Sequence, residues 1–171
     1  RTLTRTLCSF EALARWQDPQ RGMLNPGLFI STLENTRQIH KLDCYMIRQI
    51  CKDLRTCMDM GRPVVPVSVN LSRLDFLLCD IFDVVEDAMA DYGLPRNLLH
   101  IEVTESLLAG EETVRQQIAR FKAAGYAVWM DDFGNGYSSL HTLKDCDFDV
   151  LKLDMHFVTN LNERSQEIIR Y

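Results

Sequence analysis

The feature that most constrains the fold is an alternation of short Val- and Ile-rich runs, each closing on a polar residue, with segments of helical period. The runs are VPVSVNLS (65–72), LLHIEVTES (98–106), YAVWMDD (126–132) and FDVLKLD (148–154), and LCSFEALARW (7–16) reads as another. Between them a helix is predicted from Pro26, a favoured first-turn residue, through FISTLE. A longer one covers 39–60, with Ile39, Leu42, Met46, Ile47, Ile50 and Leu54 three or four apart, and stops before Gly61. Others cover 79–92, ending near Gly93 and Pro95, and 111–124, ending at Gly125. Strands alternating with helices predict βαβ units and a parallel sheet covered by helices, an α/β fold.

The polar residues choose between an open sheet and a barrel. Glu11, Asn70, Glu102, Asp131 with Asp132, and Lys152 fall at or near the C-terminal ends of their runs. In a TIM-like (β/α)8 barrel all strand C-termini converge on one mouth, whereas the outer strands of an open sheet could not reach a common point. The pattern therefore predicts a barrel.

Glu11, Asn70, Glu102 and Asp131 form an all-oxygen donor set, which suits Mg2+ or Mn2+ better than zinc. A cation also relieves the repulsion that clustered carboxylates would otherwise suffer. Asp132 adjoins Asp131 where the strand is expected to open into a turn, so the pair could bridge two cations, an arrangement suited to phosphoryl chemistry. Lys152 would then stand beside the attacking water or a phosphate oxygen. Each residue taken alone also reads as a solvated strand end, and Lys152 as a surface lysine paired with Asp149 or Asp154. The Gly134–Gly136 stretch reads more simply as a tight turn than as a phosphate cradle. The DFG triplet lacks the lysine strand and H-R-D loop of a kinase.

Composition narrows the partners. The chain of 171 residues is 46% hydrophobic and 25% charged, as expected for one globular domain. Its net charge of −5 argues against a nucleic-acid polymer. No run reaches the roughly 18 apolar residues of a membrane span, and the N-terminus lacks a signal-peptide core, so a cytoplasmic setting is expected. The 6 cysteines show no C-x-x-C pair and the 4 histidines no H-x-x-x-H pair, so reduced thiols rather than structural zinc are expected.

The motifs FEALARW (10–16), PGLFI (26–30), SVNLS (68–72), IEVTES (101–106), DDFGNGYSSL (131–140) and LKLD (151–154) followed by Phe157 and Val158 resemble the EAL domain family, phosphodiesterases of bacterial signalling that hydrolyse cyclic di-GMP. The resemblance spans essentially the whole chain. It implies that Glu11, Asn70, Glu102 and Asp131 ligate one metal and that Asp132 joins Asp131 at a second, with Mg2+ or Mn2+ as cofactor. It further implies that Lys152 positions water, that Arg15 grips a substrate phosphate with Leu13 beside it at the substrate, and that Glu105 holds the DDFG loop. That loop takes part in metal binding and dimer contacts in the family, so a homodimer is expected. The implied reaction is hydrolysis of one phosphodiester bond of cyclic di-GMP to give linear pGpG.

Two departures from the family pattern are Asn135, where a Thr is usual, and the absence of a Gly near Arg37. A complete barrel takes about 250 residues. The first strand of the family would precede Arg1, and the strand carrying a Glu-Gly-Val-Glu glutamate and a later substrate-binding Gln would follow Tyr171. Residues 1–171 are thus expected to be a partial EAL domain, an incomplete barrel with poor hydrolytic activity by itself and a sheet edge covered by a second copy. The competing reading is a non-catalytic EAL-type module that binds cyclic di-GMP or a protein partner. An unrelated Mg2+ barrel enzyme of the enolase kind would need its own lysine or histidine base and explains none of the motifs.

Overall fold

The computed structural model describes residues 6–108, 112–134 and 147–155. In chain order these form β1 (Phe10–Ala12), β2 (Trp16–Asp18), β3 (Gly22–Leu24), α1 (Pro26–Asn35), α2 (Ile39–Asp59), β4 (Val67–Asn70), α3 (Arg73–Leu78), α4 (Ile81–Asp91), β5 (Leu99–Thr104), α5 (Glu105–Leu108), α6 (Glu112–Ala124), β6 (Ala127–Phe133) and β7 (Val150–Leu153). Five strands make one parallel sheet in the order β1-β4-β5-β6-β7. Helices connect β1 to β4, β4 to β5 and β5 to β6, as a barrel wall requires, and the sheet is part of such a wall.

The run at 7–16 divides rather than forming one strand. Phe10–Ala12 joins the parallel sheet beside β4, while Trp16–Asp18 turns back in an antiparallel hairpin with Gly22–Leu24. The hairpin has a local cause. The Asp18 carboxylate accepts the backbone N–H groups of Gln20 (2.9 Å) and Arg21 (2.8 Å), and Gly22 takes a φ of 74° that a side chain would resist. The short helices α3 and α5 were likewise not predicted, because fewer than two turns show no period. Helix α1 starts as expected, with Pro26 in its first turn and Asn25 Oδ1 accepting the Gly27 N–H at 2.9 Å. Arg37 just beyond α1 has a φ of 56°, a conformation that glycine enters without the cost imposed by a Cβ.

Strand alternation sorts the two faces of the sheet. On the outer face Val69, Leu99, Ile101, Val103, Val128 and Met130 are buried against Ile47, Ile50, Cys51 and Leu54 of α2, Val85, Ala88 and Met89 of α4, and Val114, Ile118 and Phe121 of α6. Each such side chain contributes about 1.5–3 kcal/mol by leaving water. The same alternation turns Glu11, Asn70, Glu102, Trp129, Asp131 and Lys152 to the other face. A rigid apolar layer therefore fixes the backbone from which the polar residues project.

A pair of carboxylates meets between α2 and α3. Asp75 of α3 is fully buried and accepts the Ser72 N–H at 2.6 Å, and Asp43 of α2 lies against it. Burial, then the charge of Asp75, push the Asp43 carboxyl up to about 9 from 3.8. The folded chain thus holds a proton that the unfolded chain releases near pH 3.8, so this group's contribution to stability falls as pH rises from 3.8 to about 9 and is level above. Asp43→Asn, which cannot titrate, is expected to raise Tm at alkaline pH and flatten that slope. Thermal melts of both forms across roughly pH 5–9 check this, and parallel slopes would contradict it.

Candidate metal centre at the sheet mouth

Five strands bring their polar residues to one point. Glu11 on β1, Glu102 on β5 and Asp131 on β6 each present an oxygen, and these three atoms lie within 4.8 Å of one another. Asn70 on β4 donates its Nδ2 to Glu11 Oε1 at 3.0 Å, which orients that carboxylate and leaves the amide oxygen of Asn70 as a further donor atom. From β7 the Lys152 ammonium reaches Glu102 Oε2 at 2.7 Å, Glu11 Oε2 at 3.4 Å and Asp131 Oδ2 at 3.6 Å. Asp149, one of the two carboxylates a surface lysine would have used, pairs instead with Lys122 at 2.7 Å. Lys152 belongs to the cluster.

The electrostatics follow from burial. Glu102 is fully buried, and among the described residues its Oε1 has no hydrogen-bond partner. Such an anionic oxygen is costly unless something positive meets it, and a hard cation is the partner its chemistry suits. Burial alone would lower the Lys152 pKa, but the hydrogen bond to Glu102 and the charges of Glu102, Asp131 and Glu11 outweigh it and raise the value, so the ammonium stays charged. The donor set therefore fits a divalent cation.

Asp132 reaches the mouth by a different route from the one expected. The strand does not open into a turn there but continues to Phe133, and a register shift between Met130 and Phe133 coincides with a φ of 56° at Asp132. The Asp132 N–H donates to Asp131 Oδ1 at 2.9 Å. Desolvation first, then the charges of Asp131 and Asp154, raise its pKa. It lies outside the group of Glu11, Glu102 and Asp131, next to it. Glu105, at the start of α5, is buried and its Oε2 accepts the Gly134 N–H at 3.0 Å, tying the end of β6 to the helix that follows β5. Asn135 and Gly136 of the Gly-Asn-Gly turn, with Phe157 and Val158, lie outside the described residues.

Beside the cluster is a cavity of about 430 Å³ lined by residues that include Leu13, Asp43, Asn70, Ser72 and Arg73. Leu13 is 52% exposed there. Arg15 is set apart from the carboxylates, its guanidinium donating to the Ala14 carbonyl at 2.9 Å. Two neighbours of the cluster were missed from the sequence. Trp129 stands two residues before Asp131, and His100 two before Glu102, so counting in twos along the strands would have found both. The Asp43–Asp75 contact had no such signal.

Fold and cluster together define a barrel-type α/β protein with an acidic cluster, able to hold a cation, at the C-terminal ends of its strands. The chain belongs to the EAL domain family, whose model matches residues 1–171. It is 36% identical over 166 residues to protein y4lL of Sinorhizobium fredii, covering 96% of this chain and 20% of that one. It is 34% identical over 161 residues to the cyclic di-GMP phosphodiesterase NbdA of Pseudomonas aeruginosa, covering 92% of this chain and 21% of NbdA. Among solved structures, the PaMucR phosphodiesterase in complex with c-di-GMP superposes with a TM-score of 0.80 at 33% identity, over 93% of this chain and 66% of that chain. The chain thus spans about a fifth of the length of these curated relatives.

Proposed function

We propose that this chain is the metal-binding part of an EAL-type phosphodiesterase that hydrolyses cyclic di-GMP to linear pGpG. The observation that carries the reading is the meeting of Glu11, Glu102, Asp131 and Lys152 at one point. The likeness to NbdA and to the c-di-GMP complex of PaMucR supports the substrate.

Glu11, Asn70, Glu102 and Asp131 would hold a first Mg2+ or Mn2+, and Asp132 with Asp131 a second. When bound, such cations would supply Lewis-acid stabilisation of the phosphodiester oxygens and a more acidic water. The chain's own groups do the rest. Lys152, charged and fixed against Glu102, orients the water and steadies negative charge as the P–O bond breaks. Arg15 and Leu13 border the substrate, Arg15 on a phosphate. Glu105 fixes the backbone just after the paired aspartates.

The match to 66% of the PaMucR chain fits a partial EAL domain over residues 1–171. Val150, Leu151 and Leu153 of the edge strand β7 are between 38% and 41% exposed, which suits association with a second copy. Sedimentation should show a homodimer, and a stable monomer would count against it. No helix among the described residues is long and apolar enough to cross a membrane, and a nucleotide substrate of this kind suits a cytoplasmic setting.

The test is loss of cyclic di-GMP and appearance of pGpG with Mg2+, Mn2+ or Ca2+, together with equilibrium binding of cyclic di-GMP, for the chain and its Glu11→Ala form. Turnover by the isolated chain is expected to be slow, with cation-dependent binding lost in Glu11→Ala. Cyclic di-GMP handling that is indifferent both to cations and to Glu11→Ala would refute the reading.

A further inference from the structure

The layer behind the carboxylates is aromatic. Trp129 pairs in register with Glu102 and precedes Asp131 by two on β6, so its side chain shares their face. Its ring centroid lies 4.7 Å from that of His100, with the planes inclined by 45°. Lys152 Nζ lies 5.9 Å from the centroid of the Trp129 ring. The ammonium is therefore placed between two kinds of negative potential, the carboxylates of Glu11, Glu102 and Asp131 and the π face of Trp129.

This placement bears on a conflict within the site. Lys152 contacts the same three carboxylates that a divalent cation would need. Once their oxygens are committed to a cation, their hold on the ammonium weakens, and a lysine side chain has enough rotatable bonds to leave. An aromatic face attracts the ammonium without drawing on any carboxylate oxygen. His100 backs the ring, which limits its freedom to turn away.

We propose that Trp129 is a positioning residue for Lys152, its π face keeping the ammonium at the cluster whether or not the carboxylates carry a cation. The functional consequence rests on the reading of Glu11, Glu102 and Asp131 as cation ligands, but the contact itself does not.

The experiment has two arms. In the first, NMR of the cation-free chain is expected to show the Lys152 ε-methylene protons shifted upfield by the indole. That shift should be lost in Trp129→Leu and largely kept in Trp129→Phe. In the second, an ammonium released from the cluster no longer opposes the cation, so calorimetric titration with Mg2+ alone is expected to show affinity raised about 2- to 5-fold in Trp129→Leu, with partial return in Trp129→Phe. Should Trp129→Leu fail to fold, fluorinated tryptophans in a Trp16→Phe background keep the ring's shape while weakening its quadrupole. Increasing fluorination is then expected to raise Mg2+ affinity stepwise, which a purely space-filling ring would not do. Unshifted Lys152 protons in the wild type, or Mg2+ affinity indifferent to these ring changes, would overturn the proposal. A wild-type chain that shows the upfield shift but binds no Mg2+ would overturn the cation-site reading and leave the hold of Trp129 on Lys152 established.

Discussion

Replacing Glu102 by alanine is expected to abolish measurable Mg2+ or Mn2+ binding and to lower cyclic di-GMP hydrolysis by about a hundredfold or more. Loss of one charged ligand forfeits several kcal/mol of charge stabilisation, and each 1.4 kcal/mol or so is tenfold in rate or affinity. Glu102 is the strongest choice because it is fully buried and carries an oxygen with no partner among the described residues, available to meet a cation. The fold should tolerate the change. Lys152 retains Glu11 and Asp131 within 3.4 and 3.6 Å, and its side chain is 28% exposed, so no buried charge is left alone. Calorimetric titration and a nucleotide assay on Glu102→Ala provide the check. Retained cation affinity in a folded variant would remove Glu102 from the centre.

The second expected result inverts the first. Lys152→Met should destabilise the chain by about 3 kcal/mol, roughly a 10 °C fall in Tm, because it leaves the buried Glu102 carboxylate without its ammonium. Added Mg2+ or Mn2+ should then recover much of the loss, since a cation at Glu11, Glu102 and Asp131 supplies the missing positive charge and stabilises the folded state by mass action. The cation-induced rise in Tm should be larger in Lys152→Met than in the wild type, where the ammonium already neutralises the cluster. Thermal melts with and without cation separate the two roles of the lysine. A destabilised variant indifferent to cations would mean that the carboxylates form an ion-pair network and no more.

These expectations draw unequally on sequence and structure. Glu11, Asn70, Glu102, Asp131 and Lys152 could be read from the chain because each ends or nearly ends an apolar run, and parallel strands with helical crossovers must point their ends the same way. The hairpin at Trp16–Asp18 and Gly22–Leu24 could not, because an Asx turn and one left-handed glycine carry no hydrophobic period. Nor could the path of Asp132, which depends on a register shift against β7 and so on a partner strand 20 residues away in sequence.

The sequence by itself determined the class of fold and the donor chemistry of the site, since hydrophobic period and residue type are local properties. Only the tertiary structure decided which charges meet. It put Lys152 against Glu102, Asp43 against Asp75 and the ring of Trp129 beside Lys152, pairs separated by 50, 32 and 23 positions. Such contacts depend on the sheet register and on the helix packing that sets it, and no period along the chain records them.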